Sequence, residues 1–411
     1  MIVQSFIALL RGICYNASIM LQFLKVGVIF LFFVLTALLI ALAMGMSYWL
    51  TGFVAEGKVL RLVRGLLLLF DGGMIAAIFI GPKYLRDISF AVEVVMFFAV
   101  LIVVQFIFCV LVGLALLLRR ARKLVVEDVP FDGGRRKLLQ HAAVYPAAAF
   151  GMGLYGNLWE RNQTVVNRYE IPAGVPGNLS GFTLAQISDV HIGMFYSLEM
   201  LQALLRKAAE LKPDALVITG DIFDHVKMNP EAIRLVDRFV DAFPRGIWYC
   251  HGNHEHRRGI GPIEEMLRET RLHVLVNAAE PVVDGQKLYI VGADYPMHRQ
   301  EEVFQQEKAA YLKTAMQAVP EDAVCVLLAH HPEFIDDARE YGIPLTLTGH
   351  THGSQFGIFG VPLFPIFKYT RGMVQKDGCY GYVHVGNGSW FPYRFGCPPE
   401  IALFTLKGKA V

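Results

Sequence analysis

The sequence has little excess of either charge and no closely paired cysteines. Its 411 residues carry a formal net charge of +2. That balance argues against nucleic-acid binding driven by counterion release, which needs a strongly basic face. The six cysteines are dispersed, at Cys14, Cys109, Cys250, Cys325, Cys379 and Cys397. Because none forms a C-x-x-C pair, neither a zinc ribbon nor a thioredoxin-like motif is indicated. Cys379 and Cys397 could pair in an oxidising compartment, or both could be free thiols.

Charge is missing altogether from residues 26–50, a run of 25 residues. This run is long enough to cross about 30 Å of hydrocarbon with some tilt, so it predicts a transmembrane helix. Residues 65–82 and 88–118 predict two further spans, and 138–156 predicts a fourth that contains Pro146. The first 24 residues could be another span or an interfacial helix. We therefore expect a transmembrane region over residues 1–160 and a separate domain over 161–411.

Basic residues between the predicted spans indicate their orientation. Residues 119–137 hold seven basic and three acidic side chains, so this segment should face the cytoplasm. The predicted loop at 51–64 would then lie on the same side. If 138–156 crosses the bilayer, residues 161–411 are extracytoplasmic, which we favour; if it lies in the interface, they stay cytoplasmic. Asp71 and Glu93 could mark an ion path, or could lie at a helix break and near the interface.

The pattern of apolar and polar residues changes at about residue 178. Short apolar runs rich in β-branched residues alternate there with amphipathic segments. The predicted strands are 182–188, 215–219, 246–250, 272–276, 287–293, 323–329, 344–348, 381–386 and 400–406. The predicted helices are 197–211, 229–243, 262–270 and 300–319. Continuous apolar strands are typical of sheets covered on both faces, which predicts a layered α/β domain.

Polar side chains follow five of the predicted strands directly. The five segments read Asp189-Val190-His191, Gly220-Asp221-Ile222-Phe223-Asp224, His251-Gly252-Asn253-His254-Glu255, His330-His331-Pro332 and Gly349-His350-Thr351-His352. One such cluster would be weak evidence, but five at strand ends are hard to reach by chance. The carboxyl ends of strands are also where ligands bind in layered α/β folds.

The residue types in these segments indicate metal chemistry. Asp, Asn and His without thiolate suit manganese, iron or zinc. One carboxylate can bridge two ions about 3.5–4 Å apart, and such two-metal sites catalyse in-line displacement at phosphorus. The ions would also lower the pKa of a bridging water to give hydroxide. The sequence therefore predicts two divalent metal ions and a phosphate-ester substrate.

The five segments, in this order, resemble the calcineurin-like metallophosphoesterase family, and the resemblance covers about residues 178–408. The closing segment, residues 386–406, is similar to the membrane-associated or exported branch of that family. The N-terminal transmembrane helices predicted from the apolar runs would then be followed by the two-sheet β-sandwich flanked by helices that the resemblance implies. The resemblance also implies a dinuclear metal centre in a metal-dependent phosphoric ester hydrolase.

Roles carry over from the family by motif. The resemblance implies that Asp189, His191 and His352 bind one metal and that Asp221 bridges both. Asn253, His330 and His350 would bind the second. His254 would not bind metal, but would stabilise charge on the phosphoryl group or protonate the leaving oxygen. Asp224 and Glu255 would orient the ligands.

Several assignments stay open. Either His330 or His331 could reach the metal, and His330, which ends its strand, is favoured. His251, His256 and Arg257 could contact phosphate or lie on a solvated rim. Arg394 could bind an anion or pair with Glu400, and His298 is expected to be a surface residue. Residues 363–370 could form an apolar lip that contacts lipid, or pack on the sheet.

The function itself also has alternatives. The favoured one is a membrane-anchored phosphoesterase, with a substrate that could be lipid-linked, so the expected partners are this substrate and the bilayer but no nucleic acid. The others are a catalytically silent metal-binding scaffold and a regulatory domain of a membrane transporter.

Overall fold

The computed structural model describes residues 151–408, apart from positions 194, 284, 299, 359, 364, 390 and 391, together with eleven positions near the N-terminus (45, 48, 57, 58, 61, 62, 64, 65, 68, 69 and 72). The chain divides into two compact units, Met1–Gly153 and Leu154–Val411.

In the first unit, the eleven positions are all helical. The Arg64 guanidinium lies 4.1 Å from the centroid of the Tyr48 ring and donates a hydrogen bond of 3.3 Å to the Tyr48 carbonyl. The predicted loop at 51–64 is helical at each described position, which corrects that prediction. Across the described part of the chain, no helix is both long and apolar enough to span a bilayer. The predicted spans 26–50 and 65–82 lie mostly outside the described residues, as does 138–156, and 88–118 lies entirely outside them.

The second unit contains fourteen strands within its described residues. They are β1 (Val165–Ile171), β2 (Thr183–Ile187), β3 (Ala215–Thr219), β4 (Ile247–Cys250), β5 (His273–Val274), β6 (Ala278–Pro281), β7 (Leu288–Gly292), β8 (Val324–Leu328), β9 (Leu345–Thr348), β10 (Gly357–Ile358), β11 (Val361–Pro362), β12 (Gly372–Lys376), β13 (Cys379–Val383) and β14 (Glu400–Leu406).

Six α-helices accompany these strands in the same described part: α1 (Leu198–Glu210), α2 (Asn229–Asp237), α3 (Asn253–Arg258), α4 (Ile260–Arg268), α5 (Glu301–Met316) and α6 (Phe334–Glu340). Shorter helical turns lie at Tyr155–Trp159, Glu160–Asn162, Gly177–Leu179, Val240–Ala242 and His352–Ser354. The start of α1 follows the sequence closely, since the Ser197 side chain accepts a hydrogen bond of 3.3 Å from the Met200 amide. This is a usual N-cap.

Twelve of the described strands form two six-stranded mixed sheets, in the orders β1-β14-β2-β3-β4-β5 and β12-β13-β9-β8-β7-β6, and β10 and β11 form a separate antiparallel pair. Strands β2 to β5 run parallel in the first sheet, and β7, β8, β9 and β13 run parallel in the second. The predicted α/β class is therefore confirmed. Parallel strands end at one edge of each sheet, so the loops that follow β2, β3, β4, β8 and β9 can meet there.

Three buried clusters hold the second unit together as four layers, with helices on the outer face of each of the two sheets. One buried cluster joins the facing sides of the two sheets and includes Trp248 of β4, Phe404 of β14, Ile290 of β7 and Leu347 of β9. A second cluster packs α1, α2 and α4 on the outer face of the first sheet. A third packs α5 and α6 on the outer face of the second. Both sheets are thus covered on each face, as their continuous apolar strands predict.

Candidate metal centre

The loops at the carboxyl ends of five strands converge on one site. Asp189 and His191 follow β2, Asp221 follows β3, Asn253 opens α3 after β4, His330 follows β8, and His350 and His352 follow β9. All seven are buried except His350, which is partly exposed. The structure therefore brings together every residue that the sequence predicts as a metal ligand.

One group consists of Asp189, His191 and His352, whose ligand atoms lie within 4.8 Å of one another. The Nε2 atoms of His191 and His352 are 2.9 Å apart, and His352 Nε2 is 3.6 Å from Asp189 Oδ1. The Asp189 carboxylate is fixed by hydrogen bonds of 2.6 Å from the Ser188 hydroxyl and 2.9 Å from the His350 amide. This group can hold one ion.

A neighbouring group consists of Asp221, His330 and His350. His330 Nε2 lies 3.2 Å from Asp221 Oδ2, and His350 Nδ1 lies 2.8 Å from the side-chain oxygen of Asn253. Asp221 Oδ2 is also 3.6 Å from His191 Nε2. One carboxylate oxygen therefore faces both groups, which is the position that a bridging ligand needs.

The protons on the ring nitrogens, assigned from the hydrogen-bond network, indicate that the centre fits cations. His330 Nδ1 donates to the Thr219 carbonyl at 2.6 Å, and its Nε2 faces Asp221. His191 Nδ1 donates to Asp224 at 3.1 Å, so its Nε2 lone pair faces His352. Buried His330 Nε2 has no hydrogen-bond partner among the described residues. Lone pairs and carboxylates that face one another are stabilised by a positive ion between them.

The histidine rings of the centre differ in the direction in which their pKa values are shifted. Burial opposes the charge of His330, but Asp221 and Asp189 outweigh burial and raise its pKa to about 10. Burial itself lowers the pKa of His350 and of His352 well below the usual value. The last two rings are therefore neutral, the form in which an imidazole binds a metal.

Comparison with known proteins is consistent with this geometry. The model of the calcineurin-like phosphoesterase family matches residues 182–354. The metallophosphoesterase YkuE of Bacillus subtilis is 30% identical over 243 residues, which cover 57% of this chain and 82% of the relative. The phosphodiesterase YaeI of Escherichia coli is 26% identical, over 66% of this chain and 98% of the relative. A zebrafish (Danio rerio) transmembrane protein with a metallophosphoesterase domain is 25% identical, over 79% of this chain and 74% of the relative.

The chain belongs to the calcineurin-like metallophosphoesterase family. It is accordingly a metal-dependent hydrolase of phosphoric esters, and divalent ions are the cofactors of this family.

The backbone of this metallophosphoesterase is strained where the ligands lie. Of ten non-glycine residues with positive φ in the described part, five are predicted metal ligands: Asp189, His191, Asp221, His350 and His352. Such left-handed conformations are unusual outside glycine and persist only when the surrounding structure imposes them. In these conformations the loops turn so that the ligand side chains point toward the metal centre.

Glu255 provides part of that constraint. Its side chain is fully buried. Its Oε2 accepts hydrogen bonds of 3.0 Å from the amides of Asp221 and Gly252, and its Oε1 accepts 2.8 and 3.0 Å bonds from the amides of Ile222 and Phe223. One carboxylate therefore holds the loop after β3 against the start of α3.

Two glycines allow the loops to approach this closely. A Cβ atom at Gly252 would collide with the side chain of Asp221, and one at Gly349 would collide with Ser188 and with the carboxylate of Asp189. Since neither position has room for a methyl group, larger residues there would displace predicted ligands.

His254 lies beside the centre and is partly exposed. Its Nε2 is 4.0 Å from Asp221 Oδ2. Its Nδ1 is 2.8 Å from Asp224 Oδ1, although the angle is outside that of a hydrogen bond. Burial disfavours the charged form of Asp224, but His191 and His254 outweigh it and lower the pKa of this carboxyl strongly. His254 also falls within a possible ligand group with His191 and Asp221, so its predicted role outside the metal shell stays a prediction.

The structure also places the residues left open above. His331 lies outside the ligand groups, and its Nδ1 accepts from the Glu333 amide at 3.3 Å. Arg394 is fully buried and donates mainly to backbone carbonyls, and among the described residues it forms no ion pair with a carboxylate. His298 is exposed and its Nδ1 lies 2.6 Å from Glu307 Oε1. The four cysteines in the described part, Cys250, Cys325, Cys379 and Cys397, are free thiols.

The sequence analysis missed Asp294 and Tyr295, which follow β7 at the same edge of the sheets. The Tyr295 hydroxyl is 3.5 Å from His350 Nε2, and the two ring centroids are 5.4 Å apart. The available signal was the one that identified the other ligands, because an acidic residue directly follows a predicted apolar strand. Arg258 was also missed; its Nε donates to Asp224 Oδ1 at 2.7 Å.

Proposed function

We propose that this protein is a membrane-anchored phosphoesterase that uses two divalent ions to hydrolyse a phosphomonoester or phosphodiester. The observation that carries the proposal is the position of Asp221 Oδ2, within 3.6 Å of a ligand nitrogen in each of two metal-binding groups. When bound, the two ions would supply a hydroxide nucleophile and neutralise the phosphate oxygens.

The side chains divide between the two ions as the geometry groups them. Asp189, His191 and His352 would hold one ion. Asn253, His330 and His350 would hold the other, and Asp221 would serve both. The hydrogen bond from His330 Nδ1 to the Thr219 carbonyl and the one from His191 Nδ1 to Asp224 fix the ring orientations before any ion arrives. Such supporting contacts raise the affinity of a metal site.

His254 is the side chain best placed to act on the leaving group. It is close to Asp221 and open to solvent on one side. Its Nδ1 lies against Asp224, which leaves Nε2 facing the centre. From there His254 would stabilise charge on the transferring phosphoryl group or donate a proton to the departing oxygen.

Membrane anchoring is supported by residues 26–50 and by one relative. The alignment with the zebrafish protein covers 79% of this chain, about 325 of 411 residues, whereas the second unit, Leu154–Val411, has only 258. The alignment therefore extends well into the N-terminal unit, and that relative is described as a transmembrane protein. Basic residues at 119–137 favour an extracytoplasmic catalytic domain. Alkaline phosphatase and green fluorescent protein fused at residue 161 test this orientation, since the first is active only outside the cytoplasm and the second fluoresces only inside.

A lipid-linked substrate is supported by apolar side chains beside the centre. Phe367 has its ring centroid 5.0 Å from that of His350, and Ile366, one residue earlier, is 84% exposed. Val361 and Leu363 are exposed on the same segment. Hydrolysis of a phospholipid monoester in mixed micelles, compared with that of a soluble aryl phosphate, tests this point. We expect Ile366→Ser to reduce the first activity selectively, and an equal effect on both would count against a lipid substrate.

The central experiment measures hydrolysis of p-nitrophenyl phosphate and bis-p-nitrophenyl phosphate by the full chain. Three samples are compared: protein loaded with Mn²⁺, protein stripped with EDTA, and Asp221→Asn. Asp241→Asn is a matched control, because Asp241 is exposed and only pairs with Arg271 at 2.8 Å. We expect turnover only in metal-loaded wild type and in the control. Two bound metals with no turnover on these or on lipid substrates would favour the scaffold instead.

A further inference from the structure

A second cluster of possible metal ligands lies outside the seven residues of the proposed centre. It consists of His251, at the end of β4, His256 in α3, and Asp294, which follows β7. His256 Nε2 is 2.8 Å from Asp294 Oδ1, and His251 Nδ1 is 3.3 Å from the same oxygen. His251 and Asp294 follow strands of different sheets, so only the folded chain assembles the cluster.

His251 is the feature of this cluster that calls for a ligand. It is fully buried, and neither of its ring nitrogens has a hydrogen-bond partner among the described residues. Burying such a group without a partner costs about 1–3 kcal/mol. Its Nδ1 lies 3.3 Å from Asp294 Oδ1 without making a hydrogen bond, so an ion between the two atoms could use both of them as ligands.

The distances between ligand atoms in this cluster are similar to those in the proposed dinuclear centre. Distances between ligand atoms are 2.8 and 3.3 Å in this cluster, compared with 2.9 and 3.2 Å between paired ligands of the two proposed sites. Ligands about 2.0–2.1 Å from a tetrahedral ion are separated by roughly 3.4 Å. A small outward movement of His256 would therefore accommodate an ion.

We propose that His251, His256 and Asp294 bind a third divalent ion of the zinc class. Two imidazoles and one carboxylate, without thiolate, are ligands that zinc accepts, with a fourth position left to water. The sequence interpretation of His251 as a solvated rim residue is wrong, because this side chain is fully buried. His256 and Asp294 are partly exposed, which gives the ion a path from solvent.

The third ion would link the second sheet to the helix that carries His254. Asp294 precedes Tyr295, whose hydroxyl is 3.5 Å from His350 Nε2, and its Oδ1 also accepts a 2.8 Å hydrogen bond from the Tyr295 amide. His256 lies two residues after His254 in α3. An ion at this place would help to hold Tyr295 and His254 beside the dinuclear centre, which is a positioning role and leaves the reaction to that centre.

The test counts zinc in the full chain. Chelator-stripped protein is equilibrated with Zn²⁺ and desalted, and its metal content is measured by plasma mass spectrometry. We expect His256→Gln to bind one ion fewer per chain than wild type. His273→Gln is the matched control, because His273 also pairs with a carboxylate, at 2.7 Å from Glu280, but belongs to no group of three ligands in the described part. The control should bind as many ions as wild type.

Equal zinc content in folded His256→Gln and wild type would overturn the proposal. Anomalous scattering at the zinc edge from wild-type crystals decides the same point without any variant. A peak between His251, His256 and Asp294 would establish the site, and the lack of a peak in zinc-soaked crystals would refute it. The difference of one ion is independent of the proposed phosphoesterase activity, so failure of one proposal leaves the other standing.

Discussion

Replacing Glu255 with glutamine should separate structural support of the centre from metal binding itself. Each carboxylate oxygen of Glu255 accepts two backbone amides, from Asp221 and Gly252 on one side and from Ile222 and Phe223 on the other. A glutamine has the same shape but only one acceptor oxygen. Whichever way its amide is turned, two buried N–H groups lose their acceptor and face an N–H donor.

The magnitude follows from these two lost bonds. A hydrogen bond to a charged group contributes about 1.5–3 kcal/mol, so Glu255→Gln should lower the stability of the loop after β3 by about 3–6 kcal/mol. Because Asp221 lies in this loop, affinity for metal and phosphoesterase activity should fall together.

Hydrogen exchange measured by mass spectrometry is the direct assay. Each 1.4 kcal/mol corresponds to about a tenfold change in protection, so peptides that contain residues 221–223 and 252 should exchange faster by at least about a hundredfold. Glu264→Gln is the control, since Glu264 makes only a 3.5 Å contact with Arg268 on an exposed helix face. Pairs of that kind contribute about 0.3–0.5 kcal/mol. A loss of protection below tenfold in Glu255→Gln would refute the reasoning.

Three further predictions test the packing around the site. Gly349→Ala should reduce bound metal and activity at least tenfold, because its methyl group would collide with a ligand carboxylate; metal content and turnover check this. Gly261→Ala, where a methyl group meets no atom within 4 Å, should leave both unchanged. Arg394→Lys should lose at least two hydrogen bonds from the charged guanidinium to buried carbonyls, which costs about 3–6 kcal/mol. A melting scan should then show a midpoint lower by about 6–24 °C for the second unit, and an unchanged midpoint would contradict this account. Tyr382→Phe removes a 2.8 Å hydrogen bond to buried Glu400 and should cost about 1–3 kcal/mol in chemical unfolding.

Much of the fold could be predicted from periodicity alone. Strands β3 and β14 occupy the predicted 215–219 and 400–406, and α1 and α5 begin within one residue of prediction. The two strands are almost entirely buried and α1 has a pronounced apolar face, whereas α5 is long but only weakly amphipathic. The apolar pattern therefore accounts for β3, β14 and α1.

Elements without such a pattern were missed. Strand β1 is polar and half exposed, and it forms only because β14 offers it an edge. Strand β12 is likewise exposed, and α3 and α6 have six and seven residues. Helix α2 ends at Asp237 instead of the predicted residue 243, because a short 3-10 turn, Val240–Ala242, replaces its last part. In each case tertiary contacts outweigh a weak local signal.

For the site, the sequence by itself determined the kinds of ligand and the strands that deliver them. Each motif is local, since an apolar strand ends and an Asp, Asn or His follows within two residues. Only the tertiary structure decided that His330 and not His331 lies against Asp221, that one oxygen of Asp221 faces both groups, and that His251 meets Asp294. The physical reason is that His191 and His352 are 161 residues apart and meet at 2.9 Å. Their meeting depends on how the two sheets pack and on strained loops, one of which is held by the buried carboxylate of Glu255 through hydrogen bonds from four backbone amides. No local sequence pattern encodes these contacts.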